Sequence, residues 1–171
     1  MDVTIADMSP ADRDEVIAIF AEGVRAGDRV LDTDDPGTQD LAAGWNLVAR
    51  AGGRIIGWAT VEPARGVPRP GTAAIRVFVR PDGRGHGVGQ ALLDAAVGRA
   101  ARNGIATLVA RVVPQNVPAL MLHKKSGFRA RGVIRKAGVS HGAWHSAVLL
   151  ELRNDPGTAA AAAAPGGQQT T

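Results

Sequence analysis

The chain predicts a single-domain α/β fold, and three observations carry that expectation. Short β-branched runs bounded by turn residues alternate with helix-type patterns along the sequence. At 171 residues and 45% hydrophobic, the chain suits one domain with a proper core. The stretch from Val77 to Leu93 then reads as strand, tight glycine loop and helix in immediate succession.

The elements follow in order. Val3 to Ile5 is a short strand. Ser9-Pro10-Ala11-Asp12 opens a helix, with Ser9 as N-cap and Pro10 in the first turn. Val16, Ile19, Phe20 and Val24 mark its buried face. Arg25 to Gly37 is rich in Asp, Gly and Arg, which suits either a loop over the site or a weak helix. Thr38 to Gly44 reads as a short helix. Trp45 to Ala51 and Arg54 to Val61 are strands joined by Gly52-Gly53, a two-residue hairpin signature. Pro63 to Gly71 is a proline-rich loop, and Ala73 to Val79 is the fourth strand. A helix from about Gly87 to Arg102 ends at Asn103-Gly104. Thr107 to Val113 is a strand, Pro118 to Ser126 a helix, and Phe128 to Ala137 and Trp144 to Leu152 the last strands. The domain therefore spans residues 1–153. Residues 154–171, with six successive alanines among Pro, Gly, Gln and Thr, read as a disordered tail or a docked alanine helix.

Composition excludes several classes. The chain has no cysteine, so disulfides and thiolate metal sites are ruled out. No apolar run reaches the length of a membrane span. Asp2 and Asp7 stand where a signal peptide carries positive charge, so a cytoplasmic location is expected. The net charge of +4 comes from basic residues scattered from Arg13 to Arg153. Aromatics do not interleave with them, so a nucleic-acid partner is not expected.

The glycine loop points to phosphate. Glycine stands at every second position from Gly83 to Gly89, and the next helix aims its unpaired N–H groups into the loop. No Gly-Lys pair occurs, so the P-loop pattern fails. The dinucleotide pattern fails too, because its last glycine would fall on Val88 or Gln90. Arg84, Gly87 and Gly89 do fill R-x-x-G-x-G.

That motif resembles the pyrophosphate loop of the GNAT superfamily of acyltransferases, and the likeness extends over Val3 to Leu152. Asn116-Val117-Pro118-Ala119 is similar to the family's asparagine turn. Leu122-His123-Lys124-Lys125-Ser126-Gly127-Phe128 is similar to its Leu-Tyr-x-x-x-Gly-Phe segment, with histidine for tyrosine. Ser140-His141-Gly142-Ala143-Trp144-His145 resembles the phosphinothricin acetyltransferase subgroup. The resemblance implies a mixed, mostly antiparallel sheet flanked by helices, with a splayed strand pair forming the acetyl-CoA cleft. It implies acetyl-CoA as co-substrate, held by Phe78, Val79, Arg84, Gly85, His86, Gly87, Val88, Gly89, Gln90 and Asn116. It implies N-acetylation of a small amino-acid-like amine, and a homodimer as the common assembly. A protein or aminoglycoside amine, or a non-catalytic acyl-CoA binder, are the alternatives.

Two departures bear on the chemistry. The chain has no tyrosine, so the usual general acid is absent; His123 stands in its place, as acid or as a packed helix residue. Ala74 occupies the position of the subgroup's glutamate base. His141 then becomes the candidate base. Arg76 and Trp144 are candidate acceptor contacts, Trp144 otherwise reading as a core aromatic. Glu62 is the nearest acidic group in sequence, or else a solvated strand end. His86, His123, His141 and His145 lack carboxylate or cysteine companions at ligand spacing, so no metal is expected.

Overall fold

Alternating apolar residues and glycine turns fold into one seven-stranded sheet in a computed structural model that describes residues 2–31, 35–37, 41, 44–64 and 70–154. The expected tail beyond Asn154, most of the expected helix over 38–44 and the centre of the loop over 63–71 lie outside the described residues. The strands are β1 (Thr4–Asp7), β2 (Trp45–Ala51), β3 (Arg54–Pro63), β4 (Thr72–Val79), β5 (Thr107–Val112), β6 (Arg129–Ser140) and β7 (Ala143–Arg153). The helices are α1 (Arg13–Arg25), α2 (Val88–Arg102) and α3 (Val117–Lys125). Strand order is β1-β2-β3-β4-β5-β7-β6, and every neighbouring pair is antiparallel except β4 with β5.

Turn chemistry fixes the hairpins. Gly52 and Gly53 both have positive φ, the conformation that a two-residue turn between twisted strands requires. His141 and Gly142 do the same between β6 and β7, with φ of 49° and 76°. The sequence suggested a longer gap between those last strands. The structure closes it because the register shifts between Ile134 and Gly138, where Lys136 takes a positive φ, and pairing then resumes at Gly138↔His145.

The two faces of the sheet carry separate cores. On one, Leu92, Leu93, Ala96 and Ala100 of α2 pack on Ala59, Val61, Ala73, Ile75, Leu108, Ala110 and Leu150. On the other, Val16 and Ile19 of α1 pack on Val48, Ile55 and Trp58. Gly57 sets how close α2 can come. A Cβ there would lie 2.8 Å from Leu92 Cδ1 and 3.1 Å from the Phe78 carbonyl oxygen. Among the described residues no helix is long and apolar enough to cross a membrane.

The entry to α1 is pinned by a carboxylate. The Ser9 N–H donates to Asp12 Oδ2 at 2.7 Å, and Arg50 Nη2 donates to Asp12 Oδ1 at 2.6 Å. The Ser9 backbone bond is the largest influence on Asp12; together with Arg50 it overcomes burial and holds the carboxyl below its ordinary 3.8. A carboxyl lowered on folding stabilises the fold above its unfolded value, and that contribution is lost as pH falls through the folded value. Asp12→Ala should therefore cost about 1–2 kcal/mol at pH 7. Urea unfolding should show the gap to the parent protein closing as acid takes the pH below 3.8 and then through the lowered folded value.

Candidate functional site

β4 and β5 pair at only three positions, Thr72↔Thr107, Ala73↔Leu108 and Ala74↔Val109. Beyond that row they diverge, and residues 75–79 face residues 110–112 across an open wedge. The wedge encloses about 770 Å³ and is bounded by the glycine loop at one end and by α3 along one wall. The backbone direction along β4 follows from one bond, Arg80 N–H to Ile56 O at 2.9 Å. Hydrogen-bonded and non-bonded pairs alternate along an antiparallel ladder. Phe78 and Arg76 therefore turn their backbone groups to β3, whereas Val77 and Val79 turn theirs into the wedge. Of the two strand positions singled out from sequence, Val79 faces the wedge with its backbone. Phe78 also lines the wedge, but its half-buried ring stacks on Trp58 at 5.4 Å and lies edge-on to Phe20 at 5.5 Å.

The loop after β4 makes the mouth. Gly85 and Gly87 have φ of 76° and 78°, and a Cβ at either would meet nothing within 4 Å. Space is not the constraint there; backbone conformation is. Gly89 is different, since a Cβ would lie 3.3 Å from Leu122 Cδ2, so it sets the approach of α2 to α3. The first intrahelical bond of α2 runs from Ala91 N–H to Gly87 O. The N–H groups of Val88, Gly89 and Gln90 precede it, and no side chain caps them. His86 Nδ1 lies 2.8 Å from the Arg84 carbonyl. The Gln90 amide donates to Asp94 and Ser126, so its side chain joins α2 to the end of α3.

Arg84 closes a clasp over this mouth. Its Nη1 and Nη2 donate to Asp28 Oδ1 and Oδ2 at 2.9 and 2.5 Å, and its Nε and Nη2 also donate to the Val79 carbonyl at 3.1 Å. His141 Nε2 lies 3.0 Å from the Asp28 carbonyl oxygen, so the β6–β7 turn holds the same loop. Asp28 to Leu31 line the wedge, as the loop reading of that segment anticipated.

Along α3, Asn116 serves as N-cap. Its Oδ1 accepts from Ala119 N–H at 3.3 Å and its Nδ2 donates to the Arg29 carbonyl at 3.4 Å. His123 is buried in the wall, with Nδ1 2.8 Å from the Ala119 carbonyl and its ring edge-on to Phe128. A carbonyl can only accept, so Nδ1 carries the proton and Nε2 is a bare acceptor. That buried Nε2 has no partner. Burial drives the His123 imidazole toward its neutral form, only partly countered by the Ala119 bond. A neutral ring with this tautomer has no proton to give at Nε2, and that nitrogen is enclosed by the protein. Lys124, Lys125 and Arg111 also line the wedge; sequence reasoning missed all three, because nothing in their spacing marks a cleft.

The opposite face of the sheet brings two further candidates together. Arg76 Nη2 and Glu62 Oε1 form an ion pair at 2.6 Å, both side chains less than a fifth exposed. Trp144 is 64% exposed, so it is not a core aromatic. Among the described residues no group of three or more histidines and carboxylates could hold a metal.

A titration tests the reading of His123. Its folded value lies below the ordinary 6.5, so stability is full above pH 6.5 and falls as pH drops from there through the folded value. Nitrogen NMR of the imidazoles should show one ring that is Nδ1-protonated when neutral and takes up its second proton only below the ordinary 6.5, and that resonance should vanish in His123→Gln.

With this geometry, the matches to known proteins become specific. The profile of the acetyltransferase (GNAT) family matches residues 17–128. The L-methionine sulfoximine/L-methionine sulfone acetyltransferase of Pseudomonas paraeruginosa is 28% identical over 169 residues, covering 91% of this chain and 97% of that protein. The phosphinothricin N-acetyltransferase of Alcaligenes faecalis is 29% identical over 161 residues, covering 86% and 81% respectively. The yncA structure from Salmonella typhimurium, solved with its cofactor acetyl-CoA, superposes with a TM-score of 0.74 at 27% identity, covering 91% of this chain and 95% of that one. The forked sheet, the glycine loop and these matches agree: the chain belongs to the GNAT family of acetyltransferases.

Proposed function

We propose that this protein transfers the acetyl group of acetyl-CoA to the primary amine of a small amino-acid-like acceptor, of the methionine sulfoximine or phosphinothricin kind. The observation that carries the reading is the wedge itself. A row of backbone donors runs from the N-terminus of α2 along the open edge of β4 to the point where β4 and β5 rejoin.

The residues present fit the coenzyme. The N–H groups of Val88, Gly89 and Gln90, at the positive end of the α2 dipole, suit a diphosphate. Lys124 and Lys125 add positive charge to the same wall. The wedge-facing backbone of Val77 and Val79 suits amide groups lying alongside β4 as a further strand would. When bound, acetyl-CoA supplies the acetyl group as an activated thioester. Anchoring its phosphates at the glycine loop directs its other end toward the fork at Ala74. The Val77 N–H, nearer the fork than that of Val79, can then donate to the carbonyl oxygen as negative charge builds there.

No tyrosine is available, and His123 has no proton to give at Nε2. The leaving sulfur therefore departs as a thiolate and collects the proton that the attacking nitrogen sheds. A thiol of ordinary acidity tolerates this well. His141 supports the clasp of Asp28 and Arg84 over the mouth. Homologues that acetylate methionine sulfoximine and phosphinothricin support the acceptor class.

Two measurements test the reading. Calorimetric titration with acetyl-CoA should show Gly87→Asp binding at least tenfold more weakly, because it strains a left-handed backbone and places negative charge against the phosphate site. Arg84→Ala and His141→Ala should weaken binding only several-fold, by loosening the clasp. Unchanged affinity in all three would remove the loop from the site. Free-thiol release should be seen with L-methionine sulfoximine, L-methionine sulfone or phosphinothricin; coenzyme binding with no release on any amine would make the protein a binder.

A further inference from the structure

The reaction needs a proton acceptor, because an ammonium group is not nucleophilic. Neither histidine near the wedge is well placed to serve. His123 is buried in the coenzyme wall, on the α2 side of the sheet. His141 is tied to Asp28 at the mouth, and β7 runs roughly 27 Å from Ala143 to Glu151, the residue level with the fork, at about 3.4 Å per residue.

The fork has its own carboxylate. The strand register aligns Glu62 of β3 with Ala74 of β4 and Ala74 with Val109 of β5, the last paired row before the wedge opens. Directly opposed residues in a sheet share a face. Glu62 therefore stands one strand from the place where the acetyl end arrives. It lies on the face away from α2, since Ala73, Ile75, Ala59 and Val61 take the α2 side. Its neighbours across the strands are small. Ala74 lies on the β4 side, and on the β2 side a Cβ on Gly44 would come within 3.0 Å of the Glu62 Cα. Arg76 fixes the carboxylate by the 2.6 Å ion pair. By strand alternation Arg111 of β5 lies on this same face, beyond the fork. Arg76 and Arg111 are thus the charged groups that the adjoining strands present beside Glu62, while β2 presents Asn46.

We propose that Glu62 is the proton acceptor for the incoming amine, with Arg76 as its positioning residue. This rests on the acetyl-transfer reading above. The ammonium of the acceptor gives one proton to the Glu62 carboxylate. The freed nitrogen bonds to the acetyl carbonyl carbon, the carbon–sulfur bond breaks, and the nitrogen's surplus proton passes to the departing sulfur. Glu62 then returns its proton to water. The guanidinium of Arg76, close to the acceptor ammonium, favours loss of that proton. The rival carboxylate in the same row is Glu151, opposite Val109. It lies on the β5 side, away from the β4 edge along which the thioester would lie.

The test uses the full chain with L-methionine sulfoximine, L-methionine sulfone and phosphinothricin as acceptors. Glu62→Gln should lower turnover at pH 7 by about a hundredfold or more. Its acetyl-CoA affinity should match the parent protein, while its unfolding temperature should fall, because Arg76 loses a largely buried ion-pair partner. The deficit should shrink as pH rises toward the amine's own pKa, because free amine needs no base; a merely structural loss would persist at every pH. Glu62→Asp should recover part of the rate. Moving the carboxylate one strand over, in Glu62→Ala with Ala74→Glu, should recover at least tenfold over Glu62→Ala alone. Calorimetry of the acceptor against protein saturated with free coenzyme A should show weaker binding to Glu62→Gln. Turnover of Glu62→Gln within twofold of the parent, a pH-independent deficit, or the same signature in Glu151→Gln instead would overturn the proposal while leaving acetyl transfer intact. A parent protein that releases no thiol with any acceptor would remove the reading and this assignment together.

Discussion

Everything at this site depends on a failure of strand pairing. Parallel strands β4 and β5 hold together through Ala74 and Val109 and then part. A sheet that stayed zipped would bury the backbone donors of Val77 and Val79 in its own ladder. Parting leaves them unpaid within the protein, which is costly unless water or a ligand takes them. The two sheet faces keep the fork from closing or tearing. α2 packs on β3 and β4 through Leu92 and Leu93, while Phe78, wedged between Trp58 and Phe20, locks β4 to β3 and α1. β4 is thus held firmly on its β3 edge and left open on the other.

Charge clasps do the remaining positioning. Arg80, buried at the end of β4, reaches Glu22 and Glu15 of α1. Arg84 reaches Asp28 just beyond the same helix. Both guanidiniums therefore fasten the helix and its following loop to the strand that carries the wedge. Breaking either pair would leave a charge with its partner removed, and for the buried Arg80 that is the more expensive loss.

The parts legible in the sequence were those coded locally. Gly85 and Gly87 announced a backbone only glycine adopts easily, and Ser9-Pro10 with Asp12 announced a helix start. The Gly52-Gly53 hairpin was equally direct. What stayed hidden depends on register. Glu62 and Arg76 are fourteen positions apart in the chain, and only the β3–β4 ladder makes them partners. His123 could be read as acid or as packing until its Nδ1 was seen to face the Ala119 carbonyl, since one ring nitrogen decides the role of the other. The splay of β4 from β5 has no local propensity behind it; resemblance implied it, and the ladder displays it.

The aromatic stack behind β4 gives the molecule an optical property. Its three indoles occupy unlike surroundings. Trp58 is fully enclosed and lies flat against Phe78, Trp45 sits beneath the Arg99 guanidinium at 5.7 Å, and Trp144 stands largely in solvent. A water-borne quencher reaches the last and not the first. Phe78 belongs to the strand that borders the wedge, so the indole nearest that strand is the enclosed one, and an aqueous quencher silences Trp144 while sparing Trp58.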